Sequence, residues 1–223
     1  MSSKTASKRK RDREKRKEER QEAKRRARSL KIQGRRVREV AVRDSRPTFL
    51  IVCEGEKTEP NYFRSFPVRS AQVRVVGKGM NTESLVREAL RLQRTEESDE
   101  LWVVFDRDSF QAEQVVEAFR LAEDGGARVA FSHEAFEVWY LLHFHYCDSN
   151  LSRTTYQDRL TECLNEKYRK NDRGMYRKLI GKVDVALNNA EKLLALHAEK
   201  PRADAGPSTT VHLLVRRLLE FCP

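Results

Sequence analysis

Between residues 48 and 131 the sequence alternates between short apolar runs and amphipathic segments. The first run, Thr48–Cys53, is almost continuously apolar, as in a strand that is covered on both faces. Strands that alternate with helices favour an open, mainly parallel α/β sheet with helices on both sides, because each crossover is right-handed. Similar runs follow the first at Val73 to Val76, Leu101 to Phe105 and Ala127 to Phe131.

Helix signals fill the segments between these runs. Pro60 lies in the first turn after Thr58, which is a plausible N-cap, and Asn81 or Thr82 could cap the second helix. Gly125 follows the third amphipathic segment, where glycine commonly ends a helix. Apolar residues at helical spacing predict helices over 59–66, 82–94 and 110–122.

After Ala135 the strand signals vanish and helical periodicity dominates. We expect helices over 136–144, 154–168, 175–198 and 210–221, the last capped by Ser208 or Thr209. The predicted organisation is therefore a basic tail over 1–46, an α/β core over 47–145 and a helical C-terminal extension over 146–223.

The positive charge of the chain is confined to its N-terminal segment. Residues 1–46 hold 20 Lys or Arg against 7 Asp or Glu, whereas the remaining chain holds 25 against 27. The tail has no aromatic residue, so we expect it to be disordered or to form a solvated charged helix. Such a segment attracts nucleic acid phosphates through counterion release. The alternative is a tail that serves only solubility.

Composition argues against several classes of protein. No apolar stretch approaches the roughly 20 residues that cross a membrane, and the N-terminus lacks the apolar core of a signal peptide. We therefore expect a cytoplasmic protein without membrane contact. The four cysteines are far apart and form no CxxC pair, which argues against a zinc ribbon and a disulfide framework.

Acidic residues follow two of the predicted strands. Glu54 comes directly after the first, and Asp106 and Asp108 follow the third. Ligands bind at the carboxyl ends of the strands in an open parallel sheet, so these three carboxylates form one cluster if the two strands are neighbours. Like charges repel, and a hard divalent cation such as Mg²⁺ relieves the repulsion. The alternative is that the acids only cap neighbouring helices, as Asp108 could do.

Basic residues near these strand ends are candidates for binding nucleic acid phosphates, namely Lys57, Lys78 and Arg107. A second basic stretch over 167–178 contains Arg173 and two interleaved tyrosines, and it could hold a strand of nucleic acid across the site. The alternatives are ordinary surface lysines and an exposed, solvated helix face.

Four motifs occur in order along the chain. They are FLIVCEGEKTEPNYF over 49–63, LWVVFDRD over 101–108, SHEAFEVWYLLH over 132–143 and PSTTVH over 207–212. Together they resemble the RloB-like family, which is associated with prokaryotic defence loci and belongs to the Toprim superfamily. The resemblance implies a Toprim-like site in which Glu54 acts in acid-base chemistry and the pair Asp106 and Asp108 binds Mg²⁺, or alternatively Mn²⁺.

The resemblance also implies further site residues and a function. Related Toprim nucleases use additional acids, and the candidates here are Glu59 and Glu137, although Glu137 could instead only favour a helix dipole. His133 and Glu134 stand where family members often have Asn-Pro, which could alter the loop that frames the site or add a ligand. The implied activity is that of a metal-dependent endonuclease that cuts DNA or RNA in defence against phage or mobile elements. The sequence leaves open whether the protein has a partner protein from a defence locus and whether it forms an oligomer. A binding or sensor module without turnover is the alternative.

Overall fold

The computed structural model describes residues 46–107 and 111–223, together with Gln21 and Lys24. Within this part of the chain the four predicted apolar runs are strands that lie in one sheet, and a short fifth strand completes it. The first four strands are parallel and the fifth is antiparallel to the fourth, in the order β2-β1-β3-β4-β5. This confirms the predicted α/β fold with an open, mainly parallel sheet flanked by helices. The strands are β1 (Thr48–Cys53), β2 (Gln72–Gly77), β3 (Glu100–Asp106), β4 (Arg128–His133) and β5 (Ser208–Thr209).

The strand β5 is absent from the sequence prediction, because a strand of two residues leaves no periodic pattern. Long-range contacts place it in the sheet. Thr209 and Ser208 pair with Ser132 and His133 of β4, and the amide of Thr210 donates to the Phe131 carbonyl at 2.8 Å. The N-cap position of the last helix is Thr210, so the prediction that Ser208 caps it was wrong, whereas Thr209 Oγ1 does accept from the first helical amide, that of Val211, at 3.2 Å.

Helices flank both faces of the sheet. As predicted, Asn81 caps the second of them, accepting a hydrogen bond from the Ser84 amide at 3.1 Å, and Gly125 ends the third. The helices are α1 (Thr58–Arg64), α2 (Thr82–Glu96), α3 (Ala112–Asp124), α4 (Glu137–Leu141), α5 (Arg153–Leu164), α6 (Met175–Leu179), α7 (Val183–Leu196) and α8 (Val211–Leu219), with 3₁₀ turns at Ile180–Lys182 and Arg202–Asp204.

Two predicted helix ends were wrong for reasons that lie in the fold. Thr58 does not cap α1, because its hydroxyl donates to the Lys170 carbonyl at 2.7 Å instead. The helix α5 ends at Leu164 rather than near Tyr168, because Asn165 adopts a left-handed conformation with φ of 53°. Asparagine tolerates this conformation better than most residues, and it commonly ends a helix in this way.

Each face of the sheet carries its own hydrophobic core, because side chains alternate along a strand. Phe49, Ile51 and Cys53 of β1 face the first core, and Leu50 and Val52 face the second. The second core packs against α2 and α3, whereas the first packs against α1 and α4 to α8. The helices after residue 146 therefore share a core with the sheet.

The chain divides into two units, Met1–Ser45 and Arg46–Pro223. The sheet and the helices α1 to α8 belong to the second unit. The predicted tail over 1–46 lies outside the described residues, apart from Gln21, Lys24 and Arg46. Among the described helices none is long and apolar enough to cross a membrane.

Candidate active site at the carboxyl edge of the sheet

Glu54 and Asp106 meet at the carboxyl edge of the sheet, as the sequence predicts. The strands β1 and β3 are direct neighbours, with Cys53 opposite Val104. The Glu54 amide continues the ladder by donating to the Val104 carbonyl at 2.9 Å. The Asp106 amide donates in turn to Glu54 Oε2 at 3.2 Å. Adjacent parallel strands thus hold the two acids together.

The Asp106 carboxylate is buried and only partly satisfied by hydrogen bonds. Oδ2 accepts from the Phe136 amide at 3.1 Å and from Arg153 Nη2 at 3.4 Å. Oδ1 is buried and has no hydrogen-bond partner among the described residues. Burial raises the pKa of Asp106 well above its ordinary value, and the nearby Glu59 and Glu137 raise it further, while Arg153 opposes them.

Glu59 on α1 is the second buried acid of this cluster. Its Oε2 atom also has no hydrogen-bond partner within the described chain. Burial raises the pKa of Glu59, the charge of Glu137 raises it further, and a hydrogen bond from the residue's own backbone amide opposes both. Gly55 makes room for this carboxyl, because a Cβ at that position would lie 3.0 Å from Oε1 and 2.8 Å from Cδ. A glycine directly after Glu54 is therefore what allows Glu59 to lie against the loop.

Glu137 belongs to the same cluster. Only 2% of the residue is exposed, and its Oε1 atom accepts from the Tyr168 hydroxyl at 3.3 Å and from Gln157 Nε2 at 3.2 Å. Burial and the Glu137 charge raise the pKa of Tyr168, which keeps the hydroxyl protonated as a donor. Of the two interpretations left open by the sequence, the position of Glu137 beside the other acids favours a role in the site over a helix dipole alone.

Three residues of the site carry no signal in the sequence. Tyr168 lies inside the basic stretch, and such a position suggests an exposed aromatic side chain, but the residue is buried. Gln157 and Arg153 lie on α5, about 50 residues beyond Asp106 in the chain. Only the packing of α5 on α4 brings them to the carboxylates.

The donor set suits a hard cation, although the predicted metal cluster is described only in part. Asp108 lies outside the described residues. Over 46–107 and 111–223, no three His, Cys, Asp or Glu side chains lie together as a group that could hold a metal ion. The buried oxygens Asp106 Oδ1 and Glu59 Oε2 nevertheless lack donors, and carboxylate oxygens are the ligands that Mg²⁺ prefers.

The predicted phosphate-binding residues lie in different environments. Lys57 is exposed and lines a recess of about 340 Å³ beside Glu59, together with Lys170 and Asn171. Arg173 is exposed in the loop 165–174 that joins α5 to α6. The other two candidates already have partners: Lys78 forms an ion pair with Glu88 at 2.8 Å, and Arg107 Nε donates to the Ala203 carbonyl at 2.8 Å.

His133 ends β4 and packs against the loop that leads into β5. Its ring lies so close to Gly206 that any Cβ there would collide with it. The ring is buried, its Nδ1 atom has no partner among the described residues, and burial lowers the pKa of His133 to about 4, with a further contribution from Arg107. The histidine is thus a neutral, packed residue at the end of the strand.

A comparison with protein-family models decides the relationship of this chain to known proteins. The model described as RloB-like protein matches residues 49–218. The chain belongs to the RloB-like family. The match spans the sheet, the carboxylate cluster and the C-terminal helices, so the site described above lies within the RloB-like region. No curated protein and no solved structure matches the chain.

Proposed function

We propose that this RloB-like protein is a metal-dependent endonuclease of the Toprim type that cuts DNA or RNA phosphodiesters in defence against phage and mobile elements. The observation that carries the proposal is a pair of buried carboxylate oxygens without hydrogen-bond donors, Asp106 Oδ1 and Glu59 Oε2, beside Glu54 at the carboxyl edge of the sheet. Burying acids without partners is unfavourable, so such a cluster indicates a function rather than a contribution to stability.

Glu54, Asp106 and Asp108 would hold the cation. When bound, Mg²⁺ or Mn²⁺ would polarise the phosphodiester and lower the pKa of a bound water. The backbone supplies the preorganisation, since the amides of Asp106 and Phe136 fix the carboxylates of Glu54 and Asp106. The pKa of Glu59 is raised in the direction of neutral pH. A carboxyl group whose pKa lies closer to neutral pH is better suited to both accepting and donating a proton during a reaction.

Three supporting residues contact the carboxylates of Glu137 and Asp106. Tyr168 and Gln157 orient Glu137 by donating to one of its oxygens. Arg153 lies 3.4 Å from Asp106 Oδ2 and offsets part of the negative charge. A phosphate entering the recess beside Glu59 would meet Lys57 and Lys170 as cations. The site therefore combines carboxylates for a metal ion with cations for the phosphate.

Cleavage of plasmid, single-stranded DNA and total RNA with Mg²⁺ or Mn²⁺ tests this function. We expect Glu54→Gln and Asp106→Asn to lower the cleavage rate by about a hundredfold or more, as loss of a positioned catalytic group usually does. The control Glu199→Gln removes the same charge from an exposed residue after α7 and should leave the rate unchanged. A chelator should abolish cleavage, and retained cleavage in both site variants would disprove the assignment.

A nucleic-acid-binding or sensor module is the second candidate. The exposed cations of the loop 165–174 favour it, because they form a phosphate-binding surface whether or not the carboxylates turn over a substrate. Tight binding to the same panel of nucleic acids, without metal-dependent product, would support this function over the nuclease.

A further inference from the structure

Three recesses adjoin one another between the carboxylate cluster and α6. The first is the recess beside Glu59, and the second, of about 760 Å³, is lined by the loop 165–174 and Lys178. The third, of about 360 Å³, is lined by Tyr176, Pro67 and neighbouring residues. Lys170 and Asn171 line both the first and the second recess, and Arg173 lines both the second and the third. We call these three adjoining recesses the basic track.

The basic track carries a surplus of positive charge. Lys178 pairs with Glu166 and lies 2.6 Å from Asp172, so its single positive charge offsets half of the negative charge of these two residues, and the four cations below exceed the remainder. Within the described chain the other cations of the loop form no ion pair, and they are all exposed. They are Lys167, Arg169, Lys170 and Arg173. Unpaired cations in a concave surface attract phosphates strongly.

The fold fixes the loop before any ligand arrives. Thr58 on α1 donates to the Lys170 carbonyl, and the Gly174 amide donates to Asp172 Oδ1 at 2.7 Å. Tyr168 points inward to Glu137 while its neighbours Lys167 and Arg169 are exposed. The cations are thus held in place on the same loop that positions an acid of the site, which reduces the entropy lost on binding.

We propose that the basic track binds a single strand of nucleic acid through its phosphates and leads it past Glu59 to the carboxylate cluster. The direction toward the carboxylates rests on the nuclease function proposed above, whereas the binding itself does not. A single strand is favoured because Tyr176, a half-buried residue whose ring packs against Phe66 with the centroids 4.6 Å apart, also lines the far recess, and stacking on an aromatic side chain requires an unpaired base.

Binding of labelled oligonucleotides of about 12 nucleotides to the full-length protein in chelator tests the track without turnover. We expect Arg169→Ala and Arg173→Ala each to weaken binding about threefold to tenfold, irrespective of base sequence. Each should also reduce the slope of log K against log salt by about 0.7, the value for one phosphate contact with a single strand. Oligo-dT and oligo-rU arms distinguish DNA from RNA as the preferred strand.

The matched control is Arg94→Ala, which removes the same charge from an exposed position on α2, across the sheet from the track. It should change neither the affinity nor the slope of log K against log salt. The basic tail is present in every variant, so it does not account for a difference between them.

If the protein cuts nucleic acid but both track variants bind like the parent, the track is disproved and the nuclease stands. If neither the parent nor any variant cuts but the track variants bind weakly, the track stands without the nuclease. Tighter binding of a duplex with the same sensitivity would overturn the single-strand assignment.

Discussion

At the scale of single residues, the site is defined by acids that the fold keeps away from water. Asp106 and Glu59 each have a buried oxygen without a donor, and the charge of Glu59 adds to burial in raising the pKa of Asp106. Arg153 and the amide of Phe136 compensate only in part. A cation or a phosphate-bound metal would remove this cost, which is the physical reason for proposing a metal site here rather than a salt-bridge network.

His143 is a buried residue whose protonation the fold opposes. Its Nδ1 atom donates to the Trp139 carbonyl at 2.9 Å, and its Nε2 atom is buried with no hydrogen-bond partner among the described residues, so a proton on Nε2 would find no acceptor. Burial, with a smaller contribution from Lys182, lowers the pKa of His143 to about 4. In the unfolded chain a histidine has a pKa of about 6.5.

The stability contributed by His143 should therefore depend on pH. Above about pH 6.5 both states are neutral and the contribution is complete, and it is lost as the pH falls through about 4, because the unfolded chain takes up the proton first. The total loss is on the order of 3 kcal/mol. We expect His143→Gln, which still offers a donor to Trp139, to reduce the fall in the free energy of unfolding measured by urea denaturation between pH 7 and pH 4.

The exposed His145 supplies the control for this measurement. His145→Gln should leave the pH dependence as it is in the parent protein. An equal slope in the parent and in His143→Gln would show that the buried ring is not the titrating group.

At the scale of elements, the loop 165–174 is the contact between the helical segment and the start of α1. Thr58 is 5% exposed, and its hydroxyl donates to the Lys170 carbonyl of this loop instead of capping its own helix. Asn61 Nδ2 adds a longer contact to the Asn171 carbonyl at 3.4 Å. The recess beside Glu59 exists because these bonds hold the loop against α1.

Thr58→Val should loosen this contact while keeping the volume of the side chain. We expect it to lower the free energy of unfolding by about 1 kcal/mol, the usual value of one such hydrogen bond, and to weaken oligonucleotide binding by the basic track. Urea denaturation and fluorescence anisotropy measure the two effects.

Thr95→Val is the matched control, because the Thr95 hydroxyl donates to the Leu92 carbonyl at 2.8 Å within α2, on the face of the sheet away from the basic track. It should leave oligonucleotide affinity unchanged. Equal affinities for the Thr58 and Thr95 variants would mean that the loop does not need this anchor.

At the scale of the whole molecule, the two hydrophobic cores of the described residues are built from Phe49 onward. The sequence over 1–46 has 20 basic and 7 acidic residues and no aromatic one. We therefore expect folding and electrostatic attraction to depend on different parts of the chain. A protein lacking residues 1–45 separates the two contributions.

We expect this truncated protein to melt within about 2 °C of the full chain, since a change of 1 kcal/mol shifts the midpoint of a domain of this size by roughly 2–4 °C. Its affinity for any nucleic acid should fall, and the slope of log K against log salt should become shallower, because fewer counterions are released. Differential scanning fluorimetry and salt-dependent binding measure both. A midpoint lowered by much more than this would assign a structural role to the tail.

Local patterns in the sequence determined the strands β1 to β4, the helices α2 and α3 and the placing of Glu54 and Asp106 at the carboxyl edge. Apolar runs, caps and glycine stops act over a few residues, so a single chain reveals them. The RloB-like motifs added Glu59 and Glu137 as candidates, and both lie beside Asp106.

Only the tertiary structure decided what surrounds those acids. The strand β5 pairs with β4 across 75 or more positions, Tyr168 reaches Glu137 across 31, and Thr58 reaches Lys170 across 112. Such contacts leave no periodic trace, since each depends on one side chain and one distant partner. The sequence could therefore predict where the carboxylates lie, while the packing of α5 and the loop 165–174 determined how they are held and what leads to them.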